Sequence, residues 1–351
     1  MKRIVTIRHT VDGSTTKRIW ETAADNLDVG QQMTQARYMD TARELRKVYE
    51  HAADDLYAKQ QSFLHAHEER VKKYQAQLKA GEITQADYEA WMRGQVFQEK
   101  AWAQKREQIA QTMVDIDRRA QDIVNTGRLD VFADNANYIA YSLETGAGAD
   151  LGFGIYDSDA VMRMVKDKPD LLPLPEVDEG KDYAWYNKII NKSITQGIIQ
   201  GEDLEEIVFR IAMQTGETAL AGMRRNARTA YTGAQNAGRV EGMRQAKAKG
   251  IDVKKRWMAF LDSHTRDTHA DVDGQVADVD DPFKLSDGDM LMFPGDPAGK
   301  PRNVYNCRCT LVYVYPKYPS GIDRVDEDGE NVGDMTYREW ERMKGGKGGH
   351  G

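Results

Sequence analysis

The sequence predicts an α+β protein that is mainly α-helical, with a long N-terminal helical hairpin and a small C-terminal α+β module. Three observations lead there. No proline precedes Pro169, an unusually long stretch open to helix. Within it, apolar residues recur at steps of three and four. After Arg256, short strand-like runs are separated by loops rich in Gly, Asp and Pro.

The 351 residues suffice for two or more domains; 40% are hydrophobic and 30% charged, as in a water-soluble chain. Without a run of eighteen apolar residues, no membrane partner is expected. The start, MKRIVTIRHTVDG, lacks a signal-peptide apolar core, so synthesis in a reducing cytoplasm is expected. Two cysteines make no disulfide framework, and a Cys307–Cys309 bridge would close a small, strained ring. The net charge of −7 argues against a surface coated in nucleic acid and leaves room for a local basic patch.

Residues 1–22 read as a β-hairpin: Ile4 and Val5 in one strand, a turn at Asp12-Gly13, and a return through Arg18 to Trp20. Residues 23–145 read as a long helical arm. Leu45, Val48, Tyr49, Ala52 and Leu56 mark one face of a helix from about Gln31 to Lys79, with Arg43, Lys47, Glu50 and Asp54 on the other. Ala80-Gly81-Glu82 breaks it, and Thr84 with Asp87 signals a new start. In the second long helix Ile109, Met113, Ile116, Ala120 and Ile123 form a heptad-like stripe, read as ordinary core packing in preference to a docking face for a partner helix. Residues 146–181 read as a loop-rich linker, with LLPLPEVDEG (171–180) as a linker or a strap lying across another element.

From Asp182 helices return: a short piece at Ser193–Gln200, a start at Gly201-Glu202-Asp203, and a long pattern from Glu217 to Ala248. Residues 182–316 read as one domain. Charge splits sharply within it. Arg224, Arg225, Arg228, Arg239, Arg244, Lys247, Lys249, Lys254, Lys255 and Arg256 meet only Glu241 and Asp252, while nine aspartates crowd Trp257 to Met290. Two readings stand: internal pairing, or a polyanion-facing helix whose DNA-binding candidates are Arg224, Arg225, Arg228, Arg239, Arg244 and Lys247. Arg256–Leu261 and Thr310–Tyr315 read as strands. Residues 317–351 read as a polar, partly disordered tail with one short helix, Thr336–Met343.

Three pieces of this last part carry a specific pattern: WMAFLDSHTRDTHADVDGQ (257–275), MLMFPGDPAG (290–299) and NCRC (306–309). With Trp257, Asp262, Thr265, Arg266, His269, Gly274, Pro294, Asn306, Cys307, Arg308 and Cys309, and with RNARTAYTGAQNAGRVEGM upstream, the sequence resembles the phage Mu F-like minor head (head morphogenesis) proteins. The resemblance covers about residues 183–314. It implies a virion protein, associated with the portal protein and capsid, that assists head assembly and DNA packaging or delivery. It implies no enzyme activity and no obligatory cofactor. Non-specific contact with double-stranded DNA would fit the basic helix.

Three roles compete for the motif. In a polar clamp, Asp262 pairs with Arg266, His269 pins the turn at Asp273-Gly274, and Asn306 satisfies loop backbone. In a metal site, His269, Cys307 and Cys309 bind zinc with His264 or Asp262. In a nucleophilic site, a cysteine acts with His269, although no helix start lies by the thiols to activate them. Some phage head proteins of this kind carry fused ADP-ribosyltransferase domains, so such an effector is the enzymatic alternative. Glu339-Trp340-Glu341 matches one element of it, but no Ser-Thr-Ser strand occurs, and the residues after Pro316 are few for a further catalytic domain.

Overall fold

The computed structural model describes residues 27–94, 100–148, 150–200, 202, 204–315 and 324–347. The hairpin expected over residues 1–22 lies outside them. Two compact units are distinguished: Arg37–Asp130 with Met162–Tyr231, and Met1–Ala36 with Val131–Val161 and Thr232–Gly351. Among the described residues the fold is mainly helical, with small sheets in the C-terminal part.

Helix α1 (Val29–Lys79) spans 51 residues. It starts two residues before the expected Gln31 because Asp28 caps it. Asp28 Oδ1 accepts from the Gln31 amide at 2.9 Å, and Gln31 Oε1 accepts from the Asp28 amide at 3.1 Å, a reciprocal capping box. The helix stops at the predicted break, where Gly81 takes φ +74. Thr84 and Asp87 close the expected capping box ahead of α2 (Gln85–Arg93). Helix α3 (Lys100–Ala147) follows as a separate 48-residue element. Its stripe is buried at Ile109, Met113, Ile116 and Ala120, but Ile123 is half-exposed and Val124 is buried in its place. A straight helix has 3.6 residues per turn, so a strict heptad pattern drifts around it and the core moves on by one residue.

In the unit built on Arg37–Asp130 and Met162–Tyr231, α1 and α3 run antiparallel. Arg37 pairs with Asp130, and further along Tyr49 donates to Asp117. Asp117 also accepts from the Tyr186 hydroxyl at 2.6 Å. Burial pushes the Asp117 carboxyl above its ordinary range, with the two phenols opposing that rise. Tyr186 lies on α5 (Glu179–Gln200). The expected linker contains a helix, α4 (Ser158–Asp167), and a 3-10 turn at Pro169–Leu171. The strap after that turn is held to α3: Arg128 Nη1 donates to the Pro173 carbonyl at 2.5 Å, and Asn125 Nδ2 to that of Pro175 at 3.1 Å. Helix α6 (Leu204–Ala248) is one continuous 45-residue element rather than two pieces.

In the other unit, β1 (Lys254–Met258) is the centre of a three-stranded antiparallel sheet of order β2-β1-β5, with β2 at Val276–Asp278 and β5 at Thr310–Val314. Trp257 faces Leu311 across the sheet, and Lys255 faces Tyr313. The strand predicted at Arg256–Leu261 lies earlier, because the Ala259 amide leaves the ladder and donates to Asp273 Oδ1 at 2.6 Å. Helix α7 (Asp267–Val272) joins β1 to β2. Hairpin β3 (Phe283–Lys284) with β4 (Met290–Leu291), and the short helix α8 (Pro301–Val304), precede β5.

The tail holds the expected short helix, as α9 (Tyr337–Lys347), but differs from expectation in a hairpin ahead of it, formed by strands β6 (Arg324–Val325) and β7 (Asn331–Gly333). Val332, Tyr337 and Trp340 join the core around Trp257. Trp340 Nε1 donates to Asp326 at 3.0 Å, which places a polar partner inside that packing.

Candidate functional site

Trp257 is fully buried and is the hub of this core. Its ring meets His269 edge-on at 5.4 Å and Phe283 at 5.3 Å. His269 reaches it from α7, while the two cysteines enter from the segment before β5. Both thiols are free and buried. The His269 ring nitrogen Nδ1 lies 3.3 Å from Cys309 Sγ and 3.6 Å from Cys307 Sγ. The three donor atoms all lie within 4.8 Å of one another. A hydrogen bond from Cys309, helped by Arg266 and Arg308, holds the Cys307 thiol below its ordinary pKa, whereas burial pushes Cys309 well above it. Among the described residues, His269 Nε2 is buried without a hydrogen-bond partner.

Around this centre the motif residues form a connected polar frame, with partners different from those expected. Asp262 pairs with Arg308, not Arg266; Arg308 Nη2 donates to Asp262 Oδ1 at 2.8 Å, and Nη1 to the other oxygen. This bidentate pair ties the loop after β1 to the cysteine segment. Arg266 instead donates to the Tyr305 carbonyl. Thr265 Oγ1 donates to the Phe260 carbonyl at 2.5 Å. Asn306 is the one non-glycine among the described residues with positive φ, at 56°, a conformation its short amide tolerates at the turn into Cys307.

The turn at Asp273-Gly274 is not pinned by His269. Asp273 does that work itself, accepting from the Ala259 and Tyr337 amides and from Arg324 Nη1 at 2.7 Å. Gly274 takes φ +79 and donates its amide to the Trp257 carbonyl at 2.9 Å. Arg324 also donates to the Ala259 carbonyl at 2.6 Å. Nothing in the local sequence around Arg324 marks it as the partner of a turn fifty residues earlier.

The Asn-x-Gly-Arg step on α6 supplies the rest. Asn236 is fully buried. Its Nδ2 donates to the carbonyls of Pro294 (2.9 Å) and Cys309 (3.2 Å), and its Oδ1 accepts from the Leu311 amide at 3.0 Å. One amide thus fixes the Pro294 loop and the start of β5 together. Thr232 Oγ1 donates to the Cys307 carbonyl at 3.0 Å, and Gln235 Nε2 to Thr310 Oγ1. Sequence reasoning singled out the step yet gave Asn236 no role; an amide in line with apolar neighbours on a helix was the available signal.

Arg239 completes the step and is a correction. It is buried, with Nη1 donating to the Leu311 carbonyl at 2.8 Å and to Asp28 at 2.7 Å, and Nε to Asn135 at 3.1 Å. It cannot reach a phosphate. Arg244 and Lys247 both pair with Asp280, at 3.0 and 2.7 Å. Lys255 is buried, its amine donating to the carbonyls of Val279 and Met292. Arg228 stacks over Tyr38, 5.1 Å from the ring centroid. Arg225 is exposed and Arg224 half-exposed. The nominal patch is therefore largely consumed by internal contacts. His264 is exposed, and Asp262 is committed to Arg308, so neither joins the cysteine–histidine cluster. Glu339-Trp340-Glu341 lies within α9, where Glu339 accepts from the Thr336 amide at 2.7 Å and Trp340 is buried.

Among the motif side chains, Thr265 and Arg266 donate to backbone carbonyls, and Arg308 pairs with Asp262. Comparison with known proteins is specific. The family described as phage Mu protein F like protein matches residues 188–312. The minor head protein GP7 of Bacillus phage SPP1 is 33% identical over 216 residues, which cover 61% of this chain and 69% of that protein. The NAD(+)–arginine ADP-ribosyltransferase EFV of Enterococcus faecalis is 29% identical over 210 residues, covering 57% of this chain and 40% of that protein. No solved structure matches. The chain belongs to the phage Mu protein F like family.

Proposed function

We propose that this chain is a phage head morphogenesis protein, a minor structural component of the virion that sits at the portal vertex and assists DNA packaging or delivery. Family membership and the similarity to a minor head protein carry the head assignment. The portal assignment draws on two features. Three helices of 45 to 51 residues give extended surfaces suited to docking on a larger assembly. Exposed apolar side chains on α5 and α6, among them Trp185, Ile199 and Phe209, are available for contact. Among the described residues, no helix is long and apolar enough to cross a membrane.

The test is quantitative mass spectrometry of purified particles, followed by imaging of the vertex. The protein should be present at low copy relative to the coat protein and lie against the portal. Absence from mature particles would leave a scaffold-like role instead. Contact with packaged DNA is the narrower proposal, resting on Arg224, Arg225 and Arg228. Their joint replacement by alanine should reduce salt-sensitive retention on duplex DNA; retention equal to wild type removes the DNA contact.

The similarity to an ADP-ribosyltransferase covers less than half of that protein. We read the present chain as non-enzymatic, because the motif residues bond to backbone and to one another. Transfer of label from NAD to arginine-containing acceptors by the purified chain would overturn that reading.

A further inference from the structure

We propose that His269, Cys307 and Cys309 form a zinc site that staples α7 to the entry of β5. The inference is independent of the portal assignment. Zinc holds thiolate sulfur at about 2.3 Å and imidazole nitrogen at about 2.0–2.1 Å in a tetrahedral arrangement. That geometry sets sulfur and nitrogen ligands roughly 3.5 Å apart. The observed separations, 3.3 and 3.6 Å from a single ring nitrogen to the two sulfurs, bracket this value.

Charge agrees with distance. An ion in the core around Trp257 is tolerable only if it is neutralised there. Two thiolates and a neutral imidazole cancel the charge of a divalent cation. The donors are also oriented from outside. The carbonyls of Cys307 and Cys309 are held by Thr232 and Asn236 on α6, fixing the loop that aims both sulfurs. Among the described residues no group hydrogen-bonds His269 Nε2, so the ring's bonded placement is set on the thiol side. With His264 exposed and Asp262 bound to Arg308, the described residues supply three donors, and a neutral water in the fourth position keeps the site uncharged.

The rival arrangements are a metal-free thiol–imidazole cluster and a Cys307–Cys309 disulfide. The full chain is purified from zinc-containing medium without chelators, then assayed for metal and for free thiols. About one zinc per chain is expected, with both thiols reduced and shielded from alkylation until a chelator is added. Cys309→Ser and His269→Gln should each lower retained zinc at least about tenfold, the scale on which even outer-shell changes act. Should those variants fail to fold, cobalt(II) loading of the wild type decides: thiolate-to-metal charge-transfer absorption and tetrahedral d–d bands are expected. A folded, reduced wild type that holds neither zinc nor cobalt overturns the proposal. So does a Cys307–Cys309 disulfide, or zinc fully retained by a folded Cys309→Ser variant.

Discussion

Arg239 is 1% exposed, and its guanidinium is divided among Asp28, Asn135 and the Leu311 carbonyl. Breaking a buried ion pair by removing one partner costs about 3–5 kcal/mol, because the remaining charge loses its compensation. Arg239→Met should therefore lower thermal stability severely and leave retention on DNA unchanged; the reverse pattern would restore Arg239 to the surface. Lys255 makes a second residue-level case. Burial, with the nearby charge of Arg244, lowers its pKa from 10.5 to about 8. Between those values the unfolded chain binds the extra proton, so the group's contribution to stability rises with pH across that window. Denaturant titrations of wild type and Lys255→Met should diverge in favour of wild type on going from neutral pH to about pH 10, by on the order of 2 kcal/mol. A difference that stays flat across the window would show that the ammonium is solvated.

Helix packing is decided at Gly238 and Gly242, which let α6 approach α3 closely. A Cβ at Gly238 would lie 2.3 Å from the Phe132 carbonyl oxygen, and one at Gly242 2.8 Å from that of Ala136. Backbone oxygens cannot move aside as a side chain would, so the helices must separate. Gly238→Ala should cost about 1–3 kcal/mol through overpacking. A Cβ added at Gly146, also on α3, would meet none of the described residues within 4 Å. Alanine there should be neutral or stabilising by up to about 1 kcal/mol, from helix propensity alone. Equal melting temperatures for the two variants would contradict the close crossing. Element boundaries show why sequence reading stops where it does. The capping box at Thr84 is visible because hydroxyl, spacing and carboxylate coincide; the box at Asp28 has the same logic but uses Asp and Gln.

For the molecule as a whole, the C-terminal segment is part of the fold. Arg324 forms a buried pair with Asp273, and Val332, Tyr337 and Trp340 lie in the Trp257 core. Ending the chain after Tyr315 would strip those rings and leave Asp273 buried without its cation. Such a chain is expected to lose cooperative thermal unfolding and to aggregate. A truncated protein melting within a few degrees of the full chain would mean that the tail is only an appendage. Its polarity and its Gly-rich end suggested an appendage, since its few apolar residues show no purpose until the surface they cover is known.

By itself the sequence determined the long helices, the break at Gly81, the strands flanking the motif, and the association of His269 with the two cysteines. Each depends on local periodicity, turn chemistry or a family pattern. The tertiary structure alone decided the pairings: Asp262 with Arg308, Asp273 with Arg324, Arg239 with Asp28, and Asn236 with the backbone of two loops. A charge in a sequence carries no record of its partner. Whether it faces solvent or a buried carboxylate depends on which distant segments the packed core brings alongside it, and that choice turned a candidate DNA-binding arginine into an internal brace.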